Sequence, residues 1–204
     1  AGGAADYTSG TPYDSQILTG LYRPYDVTLD TTSHRMFVVD AFSSRVLEYD
    51  LDSSNNLVDF TPDHVLGQTN FYGNKQTTAQ NRLYTSYGAT YDGASNRLFV
   101  ADQGANRVII YDVASISDGE NAVNVLGQAN FTSQGTATTV NGMRYPNYCA
   151  LGTGNRLYVS DTYNHRILVF DIASITDGEN AINVLGQADF TSGTAATAQN
   201  GLYY

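Results

Sequence analysis

Val65-Leu66-Gly67-Gln68 recurs as Val125-Leu126-Gly127-Gln128 and as Val184-Leu185-Gly186-Gln187, at spacings of 60 and 59 residues. A tetrapeptide does not return at near-constant spacing by chance. The chain is therefore a tandem array of one unit of about sixty residues, and each unit should be one supersecondary element that needs its neighbours to bury its faces.

Upstream of each tetrapeptide stands a pair of apolar runs. The first pair is Arg35–Asp40 and Arg45–Asp50; the second is Arg97–Asp102 and Arg107–Asp112; the third is Arg156–Asp161 and Arg166–Asp171. Each run is short, branched or aromatic, and bounded by polar residues, which predicts strands. The runs do not alternate apolar with polar. A strand with one wet face would alternate, so these strands are expected to be covered on both faces. Tyr25–Asp30, Tyr87–Asp92 and Asn147–Leu151 supply a third strand before each hairpin, and the Val-Leu-Gly-Gln segments supply a fourth.

The fold expected is all-β, with four short antiparallel strands per unit and three units stacked as propeller blades. Blade 1 spans about 22–68, blade 2 about 84–128 and blade 3 about 144–187. Asp118-Gly119-Glu120-Asn121 and Asp177-Gly178-Glu179-Asn180 join strands three and four of blades 2 and 3. Polar inserts follow at 69–81, 129–141 and 188–200, read as surface loops with room for an extra strand.

The pattern of Asp, four residues, Arg and an apolar run ending in Asp resembles the NHL repeat. Asp161-Thr162-Tyr163-Asn164-His165-Arg166-Ile167 is closest to that signature, whereas Ser43 and Ala105 stand where blade 3 has Asn164. The Val-Leu-Gly-Gln tails look like a long-blade form seen in secreted bacterial NHL proteins. The resemblance implies a propeller but not an activity, because propellers host unrelated functions.

Six of the nine arginines fall at two repeated positions. The pairs Asp40 and Arg45, Asp102 and Arg107, and Asp161 and Arg166 bracket the hairpin turns. An Asp–Arg pair there can satisfy turn donors and tie blades together. This is a structural role, since a catalytic residue is more often singular.

Composition narrows the partners. The net charge is −10 with one lysine, Lys75, whereas nucleic acids and anionic membranes both call for a basic face. No apolar run approaches the length of a membrane span. Cys149 is the single cysteine and reads as a small buried hydrophobe; the tyrosines read as packing residues with polar tips. The start Ala1-Gly2-Gly3, without Met, fits a mature terminus after signal-peptide removal, and a trimmed chain would look the same. Asn130-Phe131-Thr132 is an N-glycosylation sequon.

No motif for chemistry emerges. His34, His64 and His165 occupy non-equivalent repeat positions, which argues against a zinc site built by successive blades. The Asp-Gly-Glu turns lack the carboxylate density of a calcium loop. There is no phosphate-binding loop and no nucleophile elbow. No cofactor or metal is expected.

The ends match. Ala5-Asp6-Tyr7-Thr8-Ser9-Gly10-Thr11 parallels Ala188-Asp189-Phe190-Thr191-Ser192-Gly193-Thr194, so segments 1–21 and 188–204 are copies of the insert. Three cores with four inserts make an open arc. The expectation is a non-enzymatic extracellular protein that self-assembles through its blades into a ring, tube or filament. The alternatives are a secreted ligand- or glycan-binding propeller and, third, a fragment of an NHL-type lyase.

Overall fold

A computed structural model describes residues 20–197 and 201–202. Most of segment 1–21, and part of 188–204, lie outside the described residues, and so does most of the match between the two ends.

The described chain is three four-stranded antiparallel sheets, each in sequential order. Blade 1 holds β1 (Pro24–Asp30), β2 (Arg35–Asp40), β3 (Arg45–Asp50) and β4 (His64–Leu66). Blade 2 holds β5 (Ser86–Asp92), β6 (Arg97–Asp102), β7 (Arg107–Asp112) and β8 (Asn124–Leu126). Blade 3 holds β9 (Pro146–Gly152), β10 (Arg156–Asp161), β11 (Arg166–Asp171) and β12 (Asn183–Leu185). The Val-Leu pairs enter the fourth strand and the Gly-Gln pairs turn out of it. The inserts form no strand among the described residues.

Each hairpin is built the same way. Its register sets Asp40 opposite Arg45, Asp102 opposite Arg107 and Asp161 opposite Arg166. A single 3-10 turn follows the aspartate, and the next residue closes it in the left-handed region: Ser44 at φ 53°, Asn106 at φ 54° and His165 at φ 51°.

Two apolar clusters lie between the blades. Phe37, Val39, Val46 and Leu66 of blade 1 meet Val100, Ile109, Tyr111 and Val125 of blade 2. Phe99, Val108, Ile110 and Leu126 of blade 2 meet Leu157, Val159, Leu168 and Phe170 of blade 3. Residues on both faces of blade 2 are thus buried, which is why its strands do not alternate. Val38, Leu47, Tyr49 and Val65 form a third cluster on the face of blade 1 turned away from blade 2.

Candidate functional site

The three repeated ion pairs are fully buried. The Nε of Arg45 donates to Asp40 at 2.8 Å, that of Arg107 to Asp102 at 2.8 Å, and that of Arg166 to Asp161 at 2.6 Å. Each arginine then reaches both flanking inserts. Nη1 donates to the carbonyl of Phe71, Phe131 or Phe190 in the insert that follows. Nη2 donates to Gly20, Arg82 or Gly142 at the end of the insert that precedes. The aspartates accept backbone N–H groups from Tyr22, Tyr84 and Arg144. Burial raises the carboxyl groups of Asp40 and Asp161, and their arginines oppose the rise. A buried charge left without its partner is costly, so these pairs need each other. Their geometry is that of a fastening between consecutive inserts.

A second fastening crosses each junction. Asp118 of blade 2 accepts the N–H of Val65 in blade 1 at 3.1 Å, and Gly119 donates to the Val65 carbonyl at 3.0 Å. Asp177 and Gly178 of blade 3 do the same to Val125 at 3.1 and 2.9 Å. Gly119 has φ +69°, and a Cβ there would stand 2.7 Å from the Cα of Thr69, so only glycine fits. Their sequence predicts plain turns, and their reach across the junction has no local signature. Blade 1 carries no such turn, because residues 51–63 replace the shorter connection 113–123.

The repeated Gly-Gln pair has its own work. Gln68, Gln128 and Gln187 donate to carbonyls of the hairpin turn and of the following insert, folding the insert back. Gly67, Gly127 and Gly186 have positive φ and lie against Leu83, Met143 and Leu202.

The outer faces differ from the inner ones. Phe99, Leu126 and Met143 are 0% exposed, whereas their equivalents Tyr158, Leu185 and Leu202 are 38%, 52% and 40% exposed. Arg35 reaches the carbonyl of Val113 in the next blade at 2.6 Å, and Arg97 reaches Ile172 at 2.7 Å. Arg156 instead pairs with Asp171 in its own sheet at 2.8 Å. On the outer face of blade 1, Val27 of β1 is exposed where Ala89 is buried, but Val38, Leu47 and Val65 of β2 to β4 are buried.

Among the described residues, one group of side chains could hold a metal: Glu48, Asp50 and Asp63, with oxygens within 4.8 Å of one another. Burial raises the Glu48 carboxyl to about 7; Asp50 and Asp63 add to the rise, and His64 opposes it. None of these residues was singled out in the sequence. The signal was there, however, since Glu48 interrupts an apolar run that continues through Ile110 and Val169 in the other copies. The histidines do not join the group. His34 meets Asn55, His64 meets Asp118 at 3.3 Å, and His165 closes a turn.

The remaining candidates lie apart. Cys149 is half-buried against the junction of blades 2 and 3, and burial pushes its thiol up to about 12, away from a reactive thiolate. Asn130 is exposed, and its Oδ1 accepts from the N–H and hydroxyl groups of Thr132 and Ser133, forming a turn. Tyrosines serve several uses. Tyr49 and Tyr111 are core residues, Tyr25 packs on Tyr87 across a junction at 4.4 Å, and Tyr72 is exposed. Among the described residues no helix is long and apolar enough to cross a membrane.

Comparison with known proteins agrees with this architecture. The chain is similar in fold to Kuenenia stuttgartiensis hydrazine synthase, at a TM-score of 0.53 and 11% identity over 91% of this chain and 40% of that one. It is likewise similar to the structure of U3-55K, at 0.52 and 11% identity over 81% of this chain and 40% of that one. It thus spans less than half the length of either. A search of curated proteins finds no match. At these identities the likeness concerns the fold alone. In sequence, residues 144–170 match the NHL repeat. That segment covers β9, β10 and nearly all of β11, in the copy where Asn164 ties Asp161 to the insert at 2.8 Å. Residues 144–170, in the third blade, are an NHL repeat.

Proposed function

We propose that this chain is a non-enzymatic, extracellular structural protein whose open blade 3 face is closed by a further copy, giving a ring, tube or filament. The observation that carries the reading is the burial contrast at one repeat position, with Leu126 fully buried and Leu185 half in water. The internal junctions supply the template for closure. The outer face of blade 3 carries Tyr158, Leu185 and Leu202 where blade 2 buries Phe99, Leu126 and Met143, and Arg156 stands where Arg35 and Arg97 cross to the next blade. Head-to-tail contacts of this kind form rings when the rotation closes and filaments when it does not. The hydroxyl-rich inserts and Asn130 would form the outer surface and carry any covalent glycan.

The test is light scattering with electron microscopy on purified protein at micromolar concentration. The reading expects multiples of the chain mass and rings or filaments, dispersed by Leu185→Asp. A monodisperse monomer overturns it.

A second reading is favoured by the missing Asp-Gly turn of blade 1, which would leave a junction onto that blade without its backbone fastening. In this reading the open face of blade 3 is met by a further blade of the same polypeptide that carries such a turn. Residues 1–204 alone would then be monomeric, and adding that blade would raise the melting temperature.

A further inference from the structure

Blade 1 breaks the repeat at two facing positions. The N–H of Asp63 donates to the carbonyl of Glu48 at 2.8 Å, as Val123 does to Ile110 and Ile182 does to Val169. Two positions that are apolar in blades 2 and 3 are therefore both acidic here, one on β3 and one in the connection just before β4. Asp50, at the end of β3, is the third carboxylate, and its N–H donates to Asp63 Oδ2 at 2.8 Å. Like charges at this separation oppose folding, and burying one of them adds to the cost.

Glu48 carries that burial. The residue is 1% exposed, and its Oε2 has no hydrogen-bond partner. A buried carboxylate oxygen without a donor calls for a counter-ion. None of the basic groups nearby supplies one directly: Arg35 is engaged by Asp30 and the Val113 carbonyl, and His64 by Asp118. Asp50 and Asp63 are exposed and line an open cleft with Asp59 and His34, so two of the three carboxylates face solvent.

We propose that Glu48, Asp50 and Asp63 bind one calcium-class divalent cation. Carboxylate oxygens alone, with no nitrogen or sulfur ligand, select a hard cation. Their mutual spacing within 4.8 Å fits two Ca–O bonds of about 2.4 Å each, with water completing the shell. Magnesium demands shorter bonds and stricter octahedral geometry, so it should bind less well. The bound ion would fasten β3 to the connection that replaces the Asp-Gly turn in blade 1. The proposal is independent of how the blade faces are closed.

The experiment is calorimetric titration of EDTA-stripped protein with calcium chloride and, separately, magnesium chloride, alongside melting curves with and without calcium. Expected are one calcium per chain, weaker magnesium binding and a higher melting temperature in calcium. Glu48→Gln and Asp63→Asn should each weaken binding at least tenfold. The double variant Glu48→Ile with Asp63→Val copies the residues of blade 2, so it should fold, lose calcium binding and melt at one temperature with or without calcium. Absence of calcium binding by the wild type, equal or tighter binding of magnesium, or calcium binding that survives in the double variant overturns the proposal.

Discussion

Blades 2 and 3 share one repeat pattern and have different surroundings. In blade 2, β6 and β7 are buried on both faces. In blade 3, β10 leaves Arg156, Tyr158 and Ser160 partly or wholly exposed, and β12 leaves the apolar Leu185 half in water at the position where Leu126 is buried. Strand composition therefore reports what a blade is built to meet, and burial reports what it meets within this arc. The gap between the two locates the open face.

The largest effect should come from the fastening that blade 2 uses at both its junctions. Asp102→Ala leaves Arg107 buried and uncompensated, which should cost about 3–5 kcal/mol. Urea unfolding followed by circular dichroism checks this; a cost near zero would mean that the pair is not what holds the inserts.

The second effect compares one repeat position in two surroundings. Leu126→Ala should cost about 2–5 kcal/mol as a buried leucine, and Leu185→Ala less than about 1 kcal/mol under dilute conditions. If both cost the same at every concentration, the contrast between the blades fails.

A third effect isolates the junction from backbone strain. Gly119 and Gly154 both have φ +69°, but a Cβ on Gly119 meets Thr69 across the junction, and one on Gly154 meets nothing within 4 Å. Gly154→Ala should cost only about 1 kcal/mol, for the left-handed backbone alone. Gly119→Ala should cost clearly more in the same melts, and equal losses would remove the junction from the explanation.

The smallest effect concerns the core of blade 2. The Tyr111 hydroxyl is buried without a partner, and blade 3 has Phe170 at that position. Tyr111→Phe removes a desolvated hydroxyl and should leave the melting temperature unchanged or slightly higher.

Much of this comparison could be read from residues. The hairpins, the fourth strands and the Asp–Arg pairs were legible because a repeat shows each feature three times, and the strand bounds fall within a residue or two of the expected runs. The inserts were less legible. Their lack of strand follows from Gln68 and Gln128, which bind the loop backbone with side-chain amides in place of a ladder. The Asp-Gly turns looked local because their partners, Val65 and Val125, are distant in sequence. Glu48, Asp50 and Asp63 escaped notice for a related reason. They come together through strand register, where blade 1 departs from the repeat and the other two copies carry no carboxylate cluster to mark it.

The most direct test of the central claim is amide hydrogen exchange in β12, Asn183–Leu185, against β8, Asn124–Leu126, across a dilution series. The account predicts that protection of β12 rises with protein concentration toward the level of β8, while β8 stays constant. Protection of β12 that stays low and independent of concentration would contradict it.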